Sequence, residues 1–308
     1  MKKARMKRIL IEVKKFFLLI IPPILFKIIK DIKKRFGKSK IIDNKLNENF
    51  KIENWGIDFS NSQQNCTILC NGPSLNHSID KSFKFISDSI KIAVNFSPMS
   101  DLFWKLKPDF LVLVDPSFWE DNIDKDLKIK IEQLAKKIKD VDWKMKIVMP
   151  IFNTEKNPFN EVLLVKQNIE FVKINSKTSS HEFINDRLLE YASNASSPLF
   201  QSVSVASLYF AMNIGFKKIY LFGFDHDWIK NITIDDNNNL LLMDTHFYDK
   251  SEQPFKIIKS NLLEEFRAQY QLHNSYNELR EYAKILNIKI YNCTKNSLLD
   301  SFERLQNL

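Results

Sequence analysis

The chain has 308 residues, 44% of them hydrophobic, enough to bury one large core or one core with a smaller appendage. Its net charge of +9 is segregated: residues 1–40 carry fourteen Lys or Arg against Glu12 and Asp31, a balance of +12, and the remainder is slightly acidic. A nucleic-acid-binding domain spreads its basic residues over a folded face, so this arrangement speaks against that class and for a lipid surface as the polyanion.

Within residues 1–40 the run 16–26 (FFLLIIPPILF) is apolar and flanked on both sides by lysines. It is too short to span a bilayer, which needs roughly 20 helical residues, and Pro22 and Pro23 break a continuous helix. A secretory leader shares the basic-then-apolar layout, but basic residues follow the run and no small-residue cleavage site is evident. Residues 1–40 are therefore expected to form a membrane-associating arm, peripheral on the cytoplasmic face of the inner membrane. Packing of the arm on the domain, or an apolar contact between copies in a homo-oligomer, are the alternatives. Residues 41–63, polar and Asn-rich, read as a linker, and residues 64–308 as the domain.

The domain opens on a β-rich run, 66–70 (CTILC), and others follow at 90–95 (IKIAVN), 110–114 (FLVLV), 146–149 (KIVM), 218–222 (KIYLF) and 288–292 (IKIYN). Mostly lacking apolar/polar alternation, they suit strands buried on both faces, as in a parallel sheet between helices. Between them, Leu127, Ile131, Leu134 and Ile138 recur at helical spacing, 202–214 is a mostly apolar helix closed by Gly215, and Leu272, Tyr276, Leu279, Ala283 and Leu286 form a third stripe. The fold class expected is α/β: a Rossmann-like, mostly parallel sheet with helices on both faces, a GT-A-like variant in one domain. Residues 228–260 are a long polar excursion and read as a lid. Cys66, Cys70 and Cys293 lack both an even disulfide framework and zinc spacing, and suit buried hydrophobes in a reducing compartment.

In such a sheet ligands bind beyond the carboxyl ends of the strands. The first run is followed by Asn71-Gly72-Pro73-Ser74, in which Gly72 allows close backbone approach, Pro73 sets the turn, and Ser74 caps a helix whose free amides favour a phosphate. The second ends at Asn95, the third in Asp115-Pro116-Ser117, and the run from Lys218 in Gly223-Phe224-Asp225-His226-Asp227. Amides and carboxylates so placed can read a base edge or ribose hydroxyls.

The motifs CNGPSL (70–75), Asn95, Asp115-Pro116-Ser117, the stretch ending GFKKIYLFGFD (215–225) and NCTKNSLLDSF (292–302) resemble, in order and spacing, the bacterial family 42 sialyltransferases over about residues 64–306. A wider relation joins the flagellin-glycosylating and pterin-diphosphokinase-like proteins, which the Asp-His-Asp-Trp and later His-Phe-Tyr motifs resemble. The resemblance implies inverting transfer of a sialic-acid-like or Kdo-like residue from a CMP-activated donor to a cell-surface acceptor, lipooligosaccharide or capsule. It implies a cytidine and phosphate pocket of Asn71, Gly72, Pro73, Ser74, Asn95, Asp115 and Ser117, with Asn296 and Ser297 from the last motif. Ser202 would lie near the donor carboxylate and Asp225 near the ribose or acceptor. The chain departs from the family at Asp227, where a Tyr serves the departing phosphate, and near Phe200, where an Arg is placed.

Inversion needs a base for the acceptor hydroxyl, and a neutral imidazole has a suitable pKa, roughly 6.5 when unperturbed. His246, in Asp-Thr-His-Phe-Tyr, is the first candidate by resemblance and His226, between two carboxylates at a strand end, the second; Tyr248 could steady the phosphate as it leaves. A CMP donor requires no cofactor. Were a diphosphate the leaving group, Asp225 and Asp227 have the Asp-x-Asp form that holds Mg²⁺ or Mn²⁺. That chemistry defines the alternatives, a metal-dependent nucleoside-diphosphate-sugar transferase or a diphosphokinase-like enzyme on the same fold.

Overall fold

The computed structural model describes residues 55–60, 62–120, 123–151, 159, 167–243, 246–247 and 255–305. The arm at 1–40, most of the linker at 41–63, and Tyr248 lie outside the described residues. Among those described, no helix is long and apolar enough to cross a membrane.

Strands β1 (Cys66–Leu69), β2 (Ile90–Val94), β3 (Phe110–Val112), β4 (Met145–Pro150), β5 (Ile169–Ile174) and β6 (Lys218–Phe222) belong to one sheet. After a separate antiparallel sheet of β7 (Ile232–Ile234), β8 (Leu240–Leu242) and β9 (Lys256–Ile257), the chain returns with β10 (Lys289–Asn292) and β11 (Glu303–Arg304). The order is β11-β10-β6-β1-β2-β3-β4-β5, every pair parallel. The helices are α1 (Leu75–Ser87), α2 (Asp101–Leu106), α3 (Lys125–Ile138), α4 (Ile184–Ala192), α5 (Val203–Asn213) and α6 (Leu262–Ile285).

Register shows how the faces are covered. Leu69, Ala93, Leu111 and Ile147 are lateral partners on one face, packed with Leu75 and Ile79 of α1, Phe103 of α2, and Ile131 and Leu134 of α3. Phe110, just before Leu111, points to the other face and meets Phe210 of α5 with ring centroids 5.2 Å apart. Almost every residue of α5 is buried, because α6 covers its outer side: the Tyr282 hydroxyl donates to Asn213 Oδ1 at 2.6 Å. The expected α/β architecture, helices on both faces of a parallel sheet, is thus present.

Three features differ from the sequence reading. β5 is an edge strand, its burial alternating with exposed Glu170 and Lys173. Residues 228–260 contain the small antiparallel sheet. The end of the expected linker packs on the domain: Phe59 stacks on Phe216 at 4.3 Å, its amide donates to Ile214 O at 2.7 Å, and Trp55 lies against Tyr209 and Phe210.

Candidate active-site cleft

Going outward from β1, the chain runs through β2, β3, β4 and β5 on one side and β6, β10 and β11 on the other, so strand order reverses between β1 and β6. Connections diverge there and leave a crevice at the carboxyl ends. A cleft of about 420 Å³ occupies it, a size usual for small-molecule sites, which run from about 300 to 1,000 Å³.

Two glycines bring the strand tips together. The Gly72 amide donates to Gly223 O at 3.1 Å; a Cβ on Gly72 would fall 1.9 Å from Asp225 Oδ2, and one on Gly223, at φ +70°, 2.2 Å from Cys70 O. Asp225 can therefore reach the start of α1, where the Ser74 hydroxyl donates to Oδ2 at 2.8 Å and the Ser74 amide to Oδ1 at 3.2 Å. This corrects two expectations. Ser74 does not cap α1 with its side chain, and its amide, expected to be free for a phosphate, is taken by the Asp225 carboxylate. Burial raises the Asp225 pKa, an effect the Ser74 hydrogen bonds oppose. Cys70, buried beside it, has its thiol pushed well up, first by desolvation and then by the Asp225 charge, and is inert as a nucleophile.

Asn71 and Asn95 line the same cleft. The Asn71 Nδ2 group donates to Val94 O at 3.3 Å, which orients the amide, and its Oδ1 is buried without a hydrogen-bond partner among the described residues. Asn95, in the left-handed region at φ 46°, likewise has a buried Oδ1 with no partner among the described residues. A buried amide oxygen left unsatisfied costs about 1–3 kcal/mol, a cost that a ligand donor removes.

The remaining walls come from Ser202, which precedes α5, from Asp225-His226-Asp227, and from His246. His246 is held there by its neighbour: the Phe247 amide donates to Asn71 O at 3.0 Å, and Asn76 Nδ2 donates to Phe247 O at 2.6 Å. His226, at φ 51°, is buried, with Nε2 2.7 Å from the Tyr276 hydroxyl oxygen. Desolvation, with His273 nearby, pushes its pKa down to about 3. An imidazole so weakly basic serves near neutral pH only where its proton is passed on as it is taken.

Of the expected site residues, Asn71, Gly72, Pro73, Asn95, Ser202, Asp225, His226, Asp227 and His246 share the cleft, and Ser74 sits behind it on Asp225. Asp115 and Ser117 do not line it. They follow β3, beyond β2 from the switch point, and close on each other, Asp115 Oδ1 accepting from the Ser117 amide and hydroxyl at 2.9 and 2.6 Å. Asn296 is exposed in a turn at φ 57°. Ser297 is buried and structural: its hydroxyl donates to Phe224 O at 2.6 Å and accepts from Asn292 Nδ2 at 3.1 Å, bracing the β6 tip from behind. Tyr248 is outside the described residues. Sequence reasoning missed Ser204 and Trp228, which also line the cleft, and Tyr276 beneath it.

As for a metal, both Asp225 oxygens already accept from Ser74, and Asp227 Oδ2 lies 3.9 Å from Lys230 Nζ. Among the described residues no three His, Cys, Asp or Glu side chains cluster as a metal-binding group.

No family model and no curated protein matches the chain. Among solved structures, the MAf glycosyltransferase from Magnetospirillum magneticum AMB-1 is similar at a TM-score of 0.45 and 12% identity, over 84% of this chain and 36% of that one. The chain thus spans about a third of that protein's length.

Proposed function

We propose that the protein is an inverting glycosyltransferase, taking a sialic-acid-like or Kdo-like sugar from a CMP-activated donor and adding it to a cell-surface glycan, lipooligosaccharide or capsule. The observation that carries this reading is the pair of orphaned amide oxygens, Asn71 Oδ1 and Asn95 Oδ1, in a cleft of nucleotide size at the switch point. Each is an acceptor waiting for a donor, and cytosine offers an exocyclic amine. Once the nucleotide is bound, the donor sugar lies among Ser202, His226 and His246, two hydrogen-bonding side-chain types suited to receive a hydroxyl acceptor and move its proton.

A thermal-shift panel of nucleotides, with and without EDTA, tests the proposal. CMP should raise the midpoint equally in both, and CMP-sialic acid or CMP-Kdo should be slowly hydrolysed. Stabilisation by UDP or GDP only with Mn²⁺ would replace this reading with the Asp225/Asp227 diphosphate one, and stabilisation only by ATP with Mg²⁺ with a diphosphokinase.

A further inference from the structure

His226, Tyr276, Ser204 and Ser202 form an unbroken line of hydrogen bonds whose two ends lie in the same cleft. His226 Nε2 is 2.7 Å from Tyr276 Oη, the Tyr276 hydroxyl donates to Ser204 Oγ at 2.7 Å, and Ser204 Oγ is 2.8 Å from Ser202 Oγ. His226, Ser204 and Ser202 line the cleft, whereas Tyr276, brought up by α6, is fully buried beneath it. Elsewhere in the interior, the Tyr209 hydroxyl donates to Tyr191 O and the Tyr282 hydroxyl to Asn213 Oδ1.

Tyr276 spends its single hydroxyl hydrogen on Ser204, so His226 must supply the hydrogen between Nε2 and Tyr276. That assigns the Nε2–H tautomer and makes Nδ1 the acceptor. Burial disfavours a charge at either group, holding the His226 pKa near about 3 and the Tyr276 hydroxyl well above its usual value. A proton accepted at one end of the line must then be matched by one released at the other.

We propose that this line is a proton relay, running from His226 Nδ1 to Ser202 Oγ, that couples deprotonation of the acceptor to protonation of the leaving group. As the acceptor oxygen bonds to the anomeric carbon, its proton passes to Nδ1 and the Nε2 proton to Tyr276. The Tyr276 proton passes to Ser204, the Ser204 proton to Ser202, and the Ser202 proton to the phosphate oxygen whose bond to that carbon breaks. One proton leaves the acceptor, one arrives on the nucleotide, and no side chain is left charged. Exchange with water in the emptied cleft restores the starting hydrogens. This relay rests on the transferase reading. His226 and Ser202 are its catalytic ends; Tyr276 and Ser204 act through them.

The test uses the full chain. Tyr276→Phe and Ser204→Ala should each lower kcat by about 10²–10⁴-fold, the range of general acid–base catalysis, with CMP affinity within twofold of wild type. The double variant should be no slower than either single one, since a line once cut is not cut further. In mixtures of light and heavy water the wild-type rate should curve with deuterium fraction, as several protons move together, and Tyr276→Phe should give a straight line. Wild-type turnover by Tyr276→Phe, or multiplying losses in the double variant, overturns the relay alone. If the wild type turns over no CMP, UDP, GDP or ADP sugar, the transferase reading falls, and the line is then judged by nitrogen NMR of the imidazoles. A neutral Nε2–H ring that changes tautomer on Tyr276→Phe supports it, and an unchanged ring overturns it.

Discussion

His226 illustrates how one side chain's surroundings set its chemistry. A histidine in the unfolded chain takes a proton near pH 6.5, whereas this one resists until about pH 3. The folded value being the lower, burial costs no stability above pH 6.5; below that, the unfolded chain binds a proton the native state refuses. Stability should then fall by up to about 1.4 kcal/mol per pH unit as pH drops from 6.5 towards 3. Asn tolerates the left-handed backbone at φ 51°, so His226→Asn removes the titration without that strain. The urea unfolding free energy of wild type minus variant, measured between pH 7 and 4, should decline over this window, and a flat difference would show that the ring is not buried as described. At this scale the sequence was informative where a strand ends beside the switch point. Asn71, Gly72, Asn95 and Asp225 follow the strand-end rule and meet; Asp115 and Ser117 follow it equally well but lie beyond β2. Tyr276 reads only as one more apolar position in its stripe, because its partners come from α5 and the β6 tip, far away in sequence.

Elements buried on both faces were legible, since β1, β2, β3, β4 and β6 are short apolar runs. β5 was not. An edge strand has one solvated side, and the charges in IEFVKI mask its period. The excursion at 228–260 hides its strands likewise, because β7, β8 and β9 span only two or three residues each among polar turns. What attaches this excursion to the carboxyl end of the sheet is Phe247, buried with Leu69, Leu75 and Ile79 while its backbone is bonded by Asn71 and Asn76. Phe247→Ala should cost roughly 3 kcal/mol of stability, at the low end for a buried aromatic, and should also release His246 from the cleft. Chemical denaturation and steady-state kinetics together check this. A lower unfolding midpoint accompanied by a raised acceptor KM is the expected pair, and unchanged kinetics would show that Phe247 packs the core without positioning His246.

For the whole molecule, charge and packing set the two ends of the N-terminal region apart. Residues 1–40 carry a balance of +12 around an apolar run, and each Lys or Arg near an anionic bilayer contributes about 1 kcal/mol of attraction that salt screens. Trp55 and Phe59 instead cover Phe210 and Phe216 of the domain, and Gly215, at φ +98°, makes room for Ser60 where a Cβ would come within 2.6 Å of its amide. A chain starting at residue 41 should therefore keep its thermal midpoint and CMP response yet no longer sediment with vesicles containing phosphatidylglycerol; the full chain should sediment with them, less so in 0.5 M salt, a concentration that brings the screening length to about 4 Å. A chain starting at residue 64 should fail differently. It exposes the aromatic faces of Phe210 and Phe216 and loses the hydrogen bond from the Phe59 amide to Ile214, so its midpoint should drop by several degrees whether or not vesicles are present. Equal stability of the two truncations would mean that residues 55–60 merely lie on the domain, and vesicle binding by either would move the membrane contact from the arm to the domain surface.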